Sequence, residues 1–497
     1  MSKLLEQFIA FQKERSLYEH AVALLHWDLT THAPELGKEH TTETLAYFST
    51  KLFSLTTSAQ YGEMLEKLAG PEEYESLSEA MKVTVDRFLK EYREQARIPE
   101  DFYSELVTAR AQSGQAWEKA KRASDYSIFK PHLQKMIELS RQTAAYTNPG
   151  EETYNVFLNQ FEEGLDSDTV DRLFEEVKAG LAPLLKHIRN SRHPDWSIVS
   201  GDYDIDKEKK VQDLLLEYIG FDFNAGTTGE SEHPFTTELS RHDSRVTNHY
   251  SPSDPIDYMF SAIHEGGHAI FQQSIDPAYE NTAAAYVNMM GLHESQSRFF
   301  ENILGRNVNF WIPVYDRICD LMPGLRKVPL DDFNLLINDV KPSFIRTRAD
   351  EVTYCLHIIL RYELETAIFR GNADVSDLPD MWNDKMEQLL GIRPENDADG
   401  ILQDMHWADG MFGYFPTYLL GSIYDGMYLK AVERDLGSID SLLAQGRVKD
   451  ITAWLQTNIQ QHGSLYPAPK IMERIGQGNI SAAPLLDYFN SKYYKLY

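Results

Sequence analysis

The stretch AIHEGGHAIFQQ, residues 262–273, has the apolar spacing of a helix and carries two adjacent glycines in its middle. Each glycine costs a helix interior about 1 kcal/mol relative to alanine. At about 100° per residue, His264 and His268 lie one turn apart on one face, with their Cβ atoms about 5–6 Å apart. That separation lets one nitrogen of each ring reach a single zinc ion at about 2.0–2.1 Å. Glu265 sits beside them, placed to hold a water next to the ion and take its proton. This is the H-E-x-x-H arrangement, and its chemistry is zinc-assisted hydrolysis. A missing side chain lets another backbone come close. Gly266, on the back of the helix, is therefore expected to admit a packing helix, and Gly267, on the rim, to keep room beside the metal.

A catalytic zinc takes a third protein ligand and keeps one position open. In one class the third ligand is a histidine further along the same helix, but Phe271 and Ser274 stand where that class needs glycine and histidine. The other class draws a glutamate from a following helix. AAAYVNMMGLHESQSRFFENIL (283–304) reads as that helix, and Glu294 is its candidate. By spacing alone His293 and Glu301 remain open, and His293 or Glu294 pairing with Arg298 is the structural alternative.

Before the metal helix, residues 220–254 are rich in Gly, Ser, Thr, Asn and Asp. Within them SRVTNHY (244–250) reads as a short strand, expected at a sheet edge. Elsewhere apolar residues recur at three- and four-residue steps, predicting helices over 72–96, 166–190, 349–369 and 416–436. Ser167 or Asp168 caps the second of these.

The chain has 497 residues, 48 Lys+Arg against 76 Asp+Glu, and a net charge of −28. Its length favours more than one lobe. So acidic a chain lacks the basic face of a general nucleic-acid binder and is repelled by anionic membranes. Two cysteines, Cys319 and Cys355, make no disulfide framework, which suits a reducing compartment. The N-terminal MSKLLEQFIAFQKERSLYEHAVALLHWD is an amphipathic helix without the pattern of a signal peptide. No apolar run is long enough to predict a membrane span. A cytoplasmic location is the expectation.

An ordered set of motifs resembles the metallocarboxypeptidases of family M32, the thermostable carboxypeptidase type. These are HPF (233–235), DSRVT (243–247), HEGGH (264–268), HESQ (293–296), IRTRAD (345–350) and GILQDMHW (400–407). HWDLTTHAPELG (26–37) resembles a further family segment, with Ala33 where methionine is usual. The resemblance implies a zinc exopeptidase that removes single C-terminal residues with broad specificity and disfavours proline. Cobalt or manganese can replace zinc in some members. It implies a mainly α, two-lobed helical fold around a deep groove, with a small β-sheet near the metal, similar to the neurolysin and angiotensin-converting-enzyme type. It also implies a homodimer, and it makes Glu294 the third ligand. The chain is then one peptidase unit. Residues 1–220 are mostly cleft wall, 221–430 carry the metal and substrate motifs, and 431–497 form C-terminal helices.

A carboxypeptidase must recognise a free carboxylate, which the planar fork of arginine suits. Arg245, Arg346 and Arg348 are the candidates. The alternative is ion pairing of Arg245 with Asp243, and of Arg346 or Arg348 with Asp350. The strand 244–250 is a candidate to pair with an extended peptide. His233 is expected to reach substrate or the metal's surroundings, with Pro234 and Phe235 structural. His406 and Tyr414 are candidates to stabilise the oxyanion, with Tyr418 as a rival. Their spacing is shorter than in the converting-enzyme type. Gln403 and Asp404 are expected to fix His406. An endo-acting oligopeptidase on the same scaffold is the alternative activity. A non-enzymatic scaffold leaves Glu265 without a purpose.

Overall fold

The computed structural model describes residues 2–286 and 289–497. Helices dominate, and several begin where the sequence offers a side-chain acceptor for free N–H groups. Ser2 accepts from Leu5 N at 3.2 Å to open Lys3–Thr31. The helix predicted over 166–190 spans Ser167–Ile188, and its cap is Asp166, whose carboxylate accepts from Thr169 N at 2.8 Å. Neither Ser167 nor Asp168 caps it. The segment 72–96 is two helices, Pro71–Tyr74 and Glu79–Ala96, because Ser78 opens the second. Helix Thr353–Phe369 starts later than its apolar pattern does, since Asp350 accepts from Val352 N and Thr353 N at 3.0 and 2.9 Å. Helix Phe415–Leu436 matches the segment read as 416–436.

The region 283–304 is not one helix. A 3-10 turn spans Ala283–Ala285, an α-helix spans Met290–Arg298, and the chain continues as a π-helix over Phe299–Gly305. Val287 and Asn288, read as helical, lie outside the described residues.

The region 220–254 holds three short strands: β1 (Gly226–Glu230), β2 (Thr236–Ser240) and β3 (Asp243–Asn248). Their order is β1-β3-β2, with β1 parallel and β2 antiparallel to β3. The stretch 244–250 therefore supplies the central strand of the sheet, not an edge. β2 is the edge that runs beside the HEGGH helix, Asp257–Ser274.

Most buried apolar side chains join one core running from Ala120 to Tyr493, drawn from the N-terminal, middle and C-terminal thirds. A smaller core gathers Phe8, Tyr61, Leu65, Val85, Phe88 and Leu89 with Ala283. Among the described residues no helix is long and apolar enough to cross a membrane. Cys319 and Cys355 are buried free thiols.

Candidate active site

His264 and His268 project from the HEGGH helix toward Glu294 on helix Met290–Arg298. Glu294 Oε2 lies 3.7 Å from His264 Nε2 and 3.6 Å from His268 Nε2. Tetrahedral ligands about 2.0–2.2 Å from one cation are separated by roughly 3.4 Å. The three donors, two imidazoles and a carboxylate, thus fit a zinc-type ion without moving far. The two glycines let neighbouring elements close onto the HEGGH helix. A Cβ on Gly266 would lie 2.6 Å from Leu216 Cδ2 and 2.8 Å from Ile219 Cδ1, so Gly266 admits the helix Ile205–Ile219. A Cβ on Gly267 would lie 2.7 Å from both Gln296 O and Ser297 Cα. Gly267 does not keep space beside the metal position. It lets the backbone of the Glu294 helix press against the HEGGH helix.

Further carboxylates orient the rings. Glu301 Oε2 is 2.8 Å from His264 Nδ1, and Arg306 reaches the other oxygen of Glu301 at 3.2 Å. His293 does not join the donor cluster. It hydrogen-bonds Glu238 on β2, and its ring stacks on His268 with centroids 4.2 Å apart. Burial disfavours charge on His264, yet Glu294 and Glu301 hold its pKa up at about 9. Burial also works against ionised Glu294, but His264, His268 and Arg298 hold it down at about 2. The cluster is electrostatically arranged for an added positive charge, and a cation competes there with a proton.

Glu265 is buried, and its Oε2 accepts from Thr236 Oγ1 at 2.6 Å. Thr236 also reaches the Glu265 carbonyl at 3.0 Å, which locks β2 onto the helix. Nothing in the sequence pattern marked Thr236 beyond its place after HPF.

A cavity of about 600 Å³ opens over the cluster. Its lining runs from Pro234 to Tyr418. Pro234 and Phe235 line it, whereas His233 is exposed and is not part of the lining. Arg245 does not line it either. It grips Asp243 through two bonds of 2.9 Å beside Trp27.

Arg346 and Arg348 both line the cavity, in different states. Arg346 is 7% exposed and tied to Asp404 Oδ1 at 3.0–3.1 Å and to Tyr354 at 3.0 Å. Arg361, fully buried, takes the other oxygen of Asp404 at 2.7 Å and Gln403 Oε1 at 2.7 Å. Gln403 and Asp404 therefore fix arginines and make no hydrogen bond to His406. Asp350 pairs with neither arginine, being used as a helix cap. Arg348 is exposed at the cavity, and its side chain has no ion pair or hydrogen-bond partner among the described residues.

Tyr414 and Tyr418 line the cavity and His406 stands behind them, its Nε2 3.4 Å from Tyr418 Oη. Burial lowers the His406 pKa to about 4, so the ring is neutral at ordinary pH. Burial raises Tyr414 to about 12 and Tyr418 well above its usual value. Both phenols remain donors. Helix Phe415–Leu436 sets Tyr418 one turn beyond Tyr414, with its hydroxyl beside the His406 imidazole.

Residues 7–493 match the family described as carboxypeptidase Taq (M32) metallopeptidase. The chain is 41% identical over 494 residues to carboxypeptidase 1 of Bacillus subtilis (strain 168), covering 99% of this chain and 98% of the other. It is 35% identical over 503 residues to thermostable carboxypeptidase 1 of Thermus thermophilus, with coverage of 99% and 98%. In three dimensions it is similar to the M32 carboxypeptidase from Deinococcus radiodurans R1, with a TM-score of 0.96, 30% identity and coverage of 100% and 99%. It is also similar to metallocarboxypeptidase 1 of Trypanosoma cruzi, with a TM-score of 0.93, 26% identity and coverage of 99% of both chains.

Proposed function

The chain belongs to the M32 metallocarboxypeptidases and is a peptide-bond hydrolase, and from that premise we propose that it is a zinc enzyme releasing single C-terminal residues from peptides, with broad specificity and proline disfavoured. The observation that carries this reading is the meeting of His264, His268 and Glu294 donors beneath a cavity that an unpaired arginine, Arg348, also lines. Three protein donors leave a position open, as a catalytic rather than a structural zinc requires. On the family resemblance, cobalt or manganese substitutes for zinc, and the protein is a cytoplasmic homodimer.

Zinc held by those three side chains supplies Lewis acidity, polarising the scissile carbonyl and making water acidic. Glu265 takes a proton from the attacking water, and Thr236 holds the carboxylate in place for this. As the C–N bond breaks, Glu265 passes that proton to the leaving amine. Tyr414 and Tyr418 donate to the developing oxyanion, with neutral His406 steadying Tyr418. Arg348 binds the C-terminal carboxylate and sets the cut one residue in. Arg346 supports the wall from its buried pairing with Asp404. Substrate main chain pairs along β2, the sheet edge beside Glu265.

One peptide offered with a free and with an amidated C-terminus tests the reading. The free form is cleaved one residue at a time, and the amidated form loses nearly all turnover. A hydrogen bond to a charged group contributes about 1.5–3 kcal/mol, so Arg348→Ala raises KM for the free peptide about 10- to 100-fold. Internal cleavage of both peptides at equal rates refutes the exopeptidase reading, and an unchanged KM refutes the role of Arg348.

A further inference from the structure

The helix that carries Glu294 starts without a local cap. Its N-cap position is Met289, whose side chain accepts nothing. The first N–H groups of any helix lack partners inside it and need acceptors from elsewhere. Here the acceptor comes from far away in sequence. Glu162, the residue that ends helix Thr153–Phe161, is 1% exposed, and its Oε2 accepts from Gly291 N at 2.7 Å. Gly291 is the second helical position, where an N-cap side chain ordinarily acts. A carboxylate also suits the positive end of the helix dipole.

We propose that Glu162 is a positioning residue for the metal site, acting as the cap that fixes the helix bearing Glu294. The proposal rests on the reading of His264, His268 and Glu294 as the metal triad. Glu294 is one turn beyond Gly291, so a shift at the capped end moves the ligand. Gly291 is glycine for the same reason, since a Cβ there would lie 2.9 Å from Glu162 Oε2. The opposite oxygen of Glu162 accepts from Tyr424 at 3.1 Å. Tyr424 lies one turn from Gly421, where a Cβ would press on Glu294 Cγ at 3.1 Å. One helix, Phe415–Leu436, thus braces both Glu294 and the group that caps its helix. Burial pushes the Glu162 pKa up to about 7, opposed by the Gly291 and Tyr424 bonds. The group is therefore populated with and without its proton near neutrality, and glutamine is a fair mimic that keeps an acceptor for Gly291.

The test titrates zinc into the metal-free full-length protein against a chromophoric chelator. Outer groups that orient ligands change metal affinity about 10- to 100-fold when removed, so Glu162→Ala weakens zinc binding by that factor. Its activity falls at limiting zinc and returns at saturating zinc. Glu162→Gln stays within about threefold of wild type, by retaining the acceptor. Leu184→Ala, a cavity at a fully buried position on helix Ser167–Ile188, which carries no metal donor, lowers the melting temperature and leaves zinc affinity unchanged. If Glu162→Ala does not fold, Gly291→Ala reads the same contact by crowding the carboxylate away, with the same weakening expected. Wild-type zinc affinity in a folded Glu162→Ala or Gly291→Ala protein overturns the proposal, as does an equal weakening in Leu184→Ala or Glu162→Gln. Glu294→Gln separates the two levels. If it binds zinc as wild type does, the triad is wrong. If it fails to bind while Glu162→Ala binds normally, only the role of Glu162 is wrong.

Discussion

A methyl group at Gly267 has no soft neighbour to displace, because Gln296 O and Ser297 Cα are backbone atoms. At Gly266 it meets the tips of Leu216 and Ile219, which rotate. The two substitutions should therefore part company. Gly267→Ala separates the two ligand helices, with overpacking of about 1–3 kcal/mol or more and weakened metal binding. Gly266→Ala gains about 1 kcal/mol of helix propensity against a smaller strain and stays within about 1 kcal/mol of wild type. Thermal melts and zinc titration of both variants check this, and equal losses would contradict the backbone argument. At this scale His264, Glu265 and His268 were legible because their chemistry is written in one helical turn. Thr236, Glu238 and Glu162 were not, because they meet their partners across 29, 55 and 129 residues of chain. Arg346 and Arg348 look alike in sequence. Only the fold shows that Asp404 occupies the first and leaves the second unpaired.

Ser167–Ile188 was legible because its burial is one-sided and its cap, Asp166, is local, whereas Phe415–Leu436 was legible from its apolar recurrence alone, being buried nearly all round and opened without a side-chain cap. The sheet was legible only as a single strand. GTTGE and TTELS lack a clean apolar alternation, and both became strands by pairing with Asp243–Asn248. The run 283–304 has helical periodicity throughout but splits, partly because its α-helix relies on a remote cap. Helix Thr353–Phe369 places another remote anchor. Its Glu365 accepts from Trp407 Nε1 at 2.7 Å, Gly413 N at 2.8 Å and Tyr154 at 2.8 Å, so it fastens the segment that leads into Tyr414. Burial raises the Glu365 pKa to about 7. A carboxyl whose pKa rises on folding contributes stability that is complete below its unfolded value near 4.5 and lost as pH climbs through about 7. Wild type should therefore lose up to about 3 kcal/mol relative to Glu365→Gln between pH 4.5 and 8. Urea unfolding of both proteins across that range measures the difference, and parallel curves would refute it.

Among the described residues the apolar side chains form one large core, a smaller N-terminal one and two minor clusters, and the metal donors all belong to elements of the large one. Anything that binds only the folded state stabilises it by mass action, about 4 kcal/mol at a thousandfold excess over the dissociation constant. Removing the metal with a chelator should lower the melting transition of the larger core and leave that of the smaller core nearly unmoved. Calorimetry with and without added zinc resolves this, and a uniform shift of a single transition would count against it. The mainly helical class, with a small sheet at the metal, was legible from periodicity and the family motifs. The division into cores was not, because it depends on which helices share a buried face. The smaller core also reaches back into the middle of the chain. Thr84 accepts from Ala283 N at 3.0 Å, Arg87 donates to Ala283 O at 3.2 Å, and Ala283 itself is packed among the N-terminal side chains. The front of the protein thus moors the stretch that feeds into the Glu294 helix. A protease nick that sheds the first hundred or so residues would do more than trim a surface: it would cast off the line on which the carboxylate ligand hangs.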